Sequence, residues 1–187
     1  MDFKQYVEVL DAVIETLDLD AIERLAGAIE DAYRSGRFVY IIGNGGSGAN
    51  ASHLCEDLGK GTLTDFDRQK RLKVISLTDN AAYLLAWGND TNFDRVFVEQ
   101  LKNIASPGDL LIAISGSGNS PNVLRAVEYA NKAGLKTYAV TGYDGGRLLE
   151  LAQDALHVKS FNMGIVEAVH GVVFHFLTDI LKTRFAT

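Results

Sequence analysis

Two short loops rich in glycine and serine constrain this chain more than any other feature. Each follows an apolar, β-prone run and each opens a helix-like segment. The first is Gly43-Asn44-Gly45-Gly46-Ser47, after Phe38-Val39-Tyr40-Ile41-Ile42. The second is Ser115-Gly116-Ser117-Gly118-Asn119-Ser120, after Leu110-Leu111-Ile112-Ala113-Ile114. A helix entered this way offers first-turn N–H groups with no intrahelical partner and the positive end of its dipole behind them, which together bind anions. Glycine lets the main chain approach a ligand closely, while Ser and Asn add hydrogen-bond donors. Neither loop carries Lys or Arg, so neither is a P-loop, whose Gly-Lys-Ser/Thr ending is required for a nucleoside triphosphate. Neutral donors suit one phosphomonoester better than a triphosphate with Mg²⁺. Both loops are therefore expected to cradle phosphate, and no nucleotide cofactor is expected.

The rest of the chain alternates in the same way. Residues 3–34 read as helix, with Val7, Leu10, Ile14 and Leu17 on one apolar stripe and Ile22, Leu25 and Ile29 on another. Asp20 with Glu23 resembles a capping box, so a break near residues 18–20 is expected, and Gly36 is placed to end the helix. An opening helical arm of this length (residues 1–35) has little adjacent chain to cover it and is expected to pack against another subunit. Strands are expected at 37–43, 72–77, 109–114, 136–141 and 154–158. Helices are expected at 47–59, 80–104 in two pieces, 121–133, 146–152 and 164–184. Apolar strands separated by helices make βαβ units, hence an α/β sandwich of three layers around a parallel sheet. Ligands of such sheets bind beyond the carboxyl ends of the strands, where strand order reverses, and both loops lie at such ends.

Composition narrows the function classes. The 187 residues, 47% hydrophobic and 22% charged, suit one soluble domain spanning 1–187. A formal charge of −6 gives no electrostatic footprint for nucleic acid or an anionic membrane. Cys55 is the single cysteine, which excludes an intrachain disulfide and fits a reducing compartment. No run of 18 apolar residues occurs and the first residues lack a signal peptide's apolar stretch, so a cytoplasmic protein is expected.

A polar constellation flanks the loops. His53 and Asp57 are four residues apart and share a face of the helix that the first loop opens. Glu167, His170 and His175 lie on the last helix. Glu167 and His175 are separated by roughly 12 Å of helical rise and about 80° of rotation, so they meet at one point only if their side chains lean together. Two histidines and two carboxylates form a competent set for Zn²⁺ or a similar ion. The plainer alternatives are a surface histidine at His53, a solvated Asp57–Lys60 pair and a core histidine at His175. His157 reads as structural, Cys55 as a small buried filler, and Trp87, Phe93 and Phe97 as core.

These residues resemble the sugar isomerase (SIS) family of phosphosugar-binding domains, and within it the phosphoheptose isomerase branch. The likeness rests on the two loops, on His53, on Pro121-Asn122-Val123, on Gly88-Asn89-Asp90 and on Thr141-Gly142-Tyr143-Asp144-Gly145-Gly146. It implies a flavodoxin-like five-stranded parallel sheet, a homotetramer or dimer, and active sites near subunit interfaces. The implied reaction is aldose–ketose isomerisation of sedoheptulose 7-phosphate to a manno-heptose 7-phosphate through an enediol. By position, Ser47, Ser115, Ser117 and Ser120 would hold phosphate, with Asn44 and Asp79 near the sugar. Zinc would be held by His53, Asp57, Glu167 and His175, with Asp57 (or Glu56 beside it) as base and His175 returning a proton. Asp57 and Glu167 stand where the family has Glu and Gln, Gly116 stands where it has Thr, and an acidic residue is missing at Gly164. The resemblance also leaves open a phosphosugar sensor, a module binding a replication initiator protein, or an isomerase of another sugar phosphate.

Overall fold

The structure is a computed structural model and describes residues 1–186. Five strands form one sheet: β1 (Phe38–Gly43), β2 (Lys73–Ser76), β3 (Leu110–Ser115), β4 (Lys136–Thr141) and β5 (Asp154–His157). All neighbours pair parallel, in the order β2-β1-β3-β4-β5. This is the doubly wound arrangement whose switch point lies between β1 and β3. The two Gly/Ser loops leave those two strands, side by side.

Among the described residues, eight α-helices cover the sheet: α1 (Phe3–Ile14), α2 (Leu19–Ser35), α3 (Gly45–Glu56), α4 (Ala81–Asp90), α5 (Val98–Ile104), α6 (Pro121–Lys132), α7 (Gly146–Leu151) and α8 (Met163–Phe185). Successive strand residues point to opposite faces, which divides the core in two. Val39 and Ile41 of β1 face a layer built from α2, α3 and α8, whereas Tyr40 and Ile42 face α5, α6 and α7. The helix break comes where expected, but the cap is Asp18 rather than Asp20: its side chain accepts from the N–H groups of Asp20 and Ala21, which lie inside α2, and Gly36 ends the helix at φ 66°. The end of α3 differs. The helix expected to run to residue 59 is α-helical only to Glu56 and continues as a π-helical turn, Asp57–Gly61.

The expectation of an N-terminal arm needs correction for α2. Its Ala21, Ile22, Leu25, Ala26, Ile29 and Ala32 are buried in the main core, so it is a structural layer rather than an outer arm. α1, by contrast, has no buried residue; its inner face rests on Val158, Ile165, Val166 and Val169. The long apolar helix α8 passes by length and composition as a membrane span, but half of its most apolar window is buried inside this fold.

His170 of α8 is fully buried. Its Nε2 lies 3.2 Å from the Thr141 carbonyl, so Nε2 carries the proton and donates, while Nδ1 has no partner. Burial depresses its pKa to about 4. A depressed base contributes stability that is complete above its unfolded pKa of about 6.5 and is lost as pH falls toward 4. Urea titrations should therefore show wild-type stability falling by up to about 3 kcal/mol across that window, with a shallower fall for His170→Gln. Identical slopes would remove His170 from the acid response.

Candidate functional site

The cradle forms where the loops after β1 and β3 meet. Both helices they open are free to accept an anion: α3 (N-cap Asn44) and α6 (N-cap Ser120, Pro121 in its first turn) have no side-chain cap. Ser47 and Ser115 are buried at the base, and Ser117 and Ser120 are half-buried above them. With Asn44, Gly45, Gly46 and Gly116 they line a cavity of about 240 Å³, closed on its third side by Met163 and Glu167 of α8. The Ser115 hydroxyl accepts from the Gly118 N–H at 3.2 Å and lies 3.4 Å from the Ser120 hydroxyl.

A residue pair that the sequence reading passed over locks the two loops together. Asn44 and Asn122 exchange two amide hydrogen bonds, both 2.9 Å, and Asn122 is buried. Its place in the first turn of a helix opened by a serine loop was the available signal. Asn119 braces rather than lines the cradle: its side chain donates to the Ser117 carbonyl and accepts from the Arg147 N–H. Asp79 lies elsewhere too. It accepts from the hydroxyls of Ser52 and Thr78 and borders a separate cavity at the β2 edge, because Ser52 projects from the side of α3 away from the cradle. Gly116 stays without a side chain because Met163 fills the space a Cβ would take.

The second half of the site runs down the seam between α3 and α8. The two helices run in the same direction, with Gly46 against Glu167, Asn50 against Gly171, and His53 against His175. At the lower end, the donor atoms of His53, Asp57 and His175 lie within 4.8 Å of one another. Asp57 Oδ2 is 3.3 Å from His175 Nδ1 and 3.7 Å from His53 Nε2, and the two rings meet edge to face. Asp57 is the first residue of the π-helical turn and is mostly buried, while both imidazoles reach solvent.

Of the four residues expected to hold a metal, three lie together in this structure. Glu167 sits two turns of α8 above His175, about 12 Å by helical rise, and its carboxylate packs against Gly46 at the cradle. Nor does Glu56 join the cluster: it projects about 100° round the helix from Asp57 and pairs with Lys60 at 3.6 Å. Two nitrogen donors and one carboxylate with a solvent-facing side match a zinc site that keeps a position open for substrate.

Comparison with known proteins agrees with the fold. The family model described as "SIS domain" matches residues 3–142. A probable phosphoheptose isomerase of Thermoplasma volcanium is 33% identical over 186 residues, covering 99% of this chain and 93% of that protein. The phosphoheptose isomerase of Citrifermentans bemidjiense is 36% identical over 180 residues, covering 96% and 91%. Among solved structures, a phosphoheptose isomerase from Francisella tularensis superposes with a TM-score of 0.88 at 30% identity, covering 97% of this chain and 94% of that one. One from Neisseria gonorrhoeae does so with a TM-score of 0.87 at 26% identity, covering 96% of both chains.

Proposed function

The chain belongs to the SIS domain family, and from that premise we propose that it is a phosphoheptose isomerase, interconverting sedoheptulose 7-phosphate and a manno-heptose 7-phosphate. The observation that carries this reading is the distance between the two halves of the site. Gly46 at the cradle and His53 in the cluster are separated by about 10 Å of helical rise along one seam. With single bonds of about 1.5 Å, an open seven-carbon chain and its phosphate are long enough to span that seam.

In this mechanism the cradle grips the phosphate and so fixes the far end of the chain, converting proton transfer into an effectively intramolecular step. Asp57 accepts the proton from the carbon next to the carbonyl and returns it to the neighbouring carbon. His175, with Nδ1 turned to Asp57, presents Nε2 to exchange a proton between the two oxygens of the enediol. His53, Asp57 and His175 would hold a zinc ion, which when bound supplies Lewis-acid polarisation of the carbonyl. The protein would act in the cytoplasm as a homotetramer or dimer. Support for self-association comes from α4, Ala81-Ala82-Tyr83-Leu84-Leu85-Ala86-Trp87 onward, which buries no residue in the single chain although Leu85 is 72% exposed.

The test is turnover of a panel of sugar phosphates from five to seven carbons, alongside metal analysis. Sedoheptulose 7-phosphate should be the best substrate. A chelator should remove zinc and lower turnover together. Tight binding without turnover of any member would instead favour a phosphosugar sensor, and a preference for a five-carbon substrate would overturn the seven-carbon assignment.

A further inference from the structure

Every other residue lining the cradle offers a glycine main chain, a hydroxyl, an amide or a carboxylate; Met163 is the one apolar side chain among them. Its thioether lies flush on the serine loop. A Cβ built on Gly116 would stand 2.4 Å from Met163 Sδ and 3.0 Å from its Cε, so the bare main chain at Gly116 is what lets it lie there. Its place on α8 gives it a direction. Residues 163, 167, 171 and 175 follow one another down the helix at intervals of about 6 Å. Glu167 meets Gly46, Gly171 meets Asn50 and His175 meets His53. Met163 therefore stands one turn beyond Glu167, at the end of the seam opposite the His53–Asp57–His175 cluster. Asn162 fixes that end of the helix by accepting from the Ile165 N–H at 3.3 Å.

From this placement we infer that Met163 is the end wall of the cradle, restricting it to a phosphate that terminates a chain. The inference rests on the proposed phosphate site and adds a specificity-determining residue to it. A sugar phosphate whose carbon chain runs down the seam turns its phosphate oxygens to the two helix mouths and its outer side to Met163. A monoester has nothing further to place there. A phosphodiester or a diphosphate ester carries a second substituent on phosphorus, which would have to occupy the volume that the thioether fills. A thioether donates no hydrogen bond, so Met163 adds little to phosphate binding itself and acts by exclusion. Unbranched and flexible, it also fits the irregular surface between loop and helix and keeps water from that side.

Calorimetry on the full chain with glycerol 3-phosphate and its diester, glycerophosphoglycerol, tests this, because the two share one arm and differ in the second substituent. Wild type should bind the diester more weakly. The diester's smaller charge weakens it in every variant alike, so the change in the gap between the two ligands reads the wall. Met163→Ala opens the end of the cradle and should narrow the gap at least about tenfold, the size of a typical steric penalty relieved. Met163→Leu keeps the bulk and should leave the gap as in wild type. Met163→Val, a smaller cut, should shift it in the same direction as alanine and serves if the alanine variant does not fold. Monoester binding with no narrowing in either shortened variant would overturn the end wall while the cradle stands. Equal narrowing in Met163→Leu would overturn it too, since bulk would not then be the cause. If neither wild type nor the variants bind sedoheptulose 7-phosphate or glycerol 3-phosphate, the cradle reading itself fails and takes the end wall with it.

Discussion

His175→Ala should reduce turnover of sedoheptulose 7-phosphate by about a thousandfold, within the range typical of a lost proton-transfer group. Phosphosugar affinity should change little, because the cradle that grips the phosphate lies about two helical turns up the seam. The side chain is exposed at the lower end of the α3–α8 seam, so its removal leaves no buried cavity. What it does remove is the imidazole facing Asp57 at 3.3 Å, and with it one of three candidate metal donors. Steady-state kinetics beside equilibrium binding separate the two effects: kcat should collapse while Kd holds. Unchanged kcat would take His175 out of the mechanism. A parallel loss of affinity would mean that cradle and cluster do not bind opposite ends of one ligand.

The second large effect is expected at Gly118. It takes φ +65°, and a Cβ there would overlap the Gly145 carbonyl oxygen, which is main chain and has nowhere to move. Around it the loop is closely tied: the Gly118 N–H donates to the Ser115 carbonyl at 3.1 Å and its own carbonyl accepts from the Leu148 N–H at 2.9 Å. Gly118→Ala should therefore push the serine loop off the β4–α7 turn. We expect a stability loss of about 1–3 kcal/mol from the strained backbone, and a fall in phosphosugar affinity of at least about tenfold as Ser117 and Ser120 lose their positions. Urea midpoints and calorimetry measure the two. Wild-type affinity in Gly118→Ala would mean that the cradle does not depend on this loop conformation.

The fold was largely legible because its signals are local. Apolar runs such as Leu110–Ile114 are buried on both faces in a parallel sheet, and no other element tolerates five such residues so well. Gly36 ends α2 by capping chemistry that needs no tertiary partner, whereas the N-cap fell at Asp18, two residues before the expected Asp20. The cradle was legible for the same reason, since a Gly/Ser turn between strand and helix carries its own meaning.

What stayed hidden depends on which elements meet. The contact of His175 with His53 and Asp57 joins two helices whose register only the fold decides. That the Glu167 carboxylate packs against Gly46, eight residues of helical rise above His175, was equally a matter of tertiary contact. Asp79 gave no sign that Ser52 and Thr78 would take its hydrogen bonds. Nor did the sequence show that Asp57 begins a π-helical turn, a feature that long-range packing imposes and that often marks functional positions.

The paired amides of Asn44 and Asn122 have a dynamic consequence. A motion that opens one half of the pocket must either carry the other with it or strand a buried amide without a partner. The two halves should thus breathe as a single rigid jaw, and hydrogen-exchange protection at residues 44–48 and 118–123 should rise and fall in step.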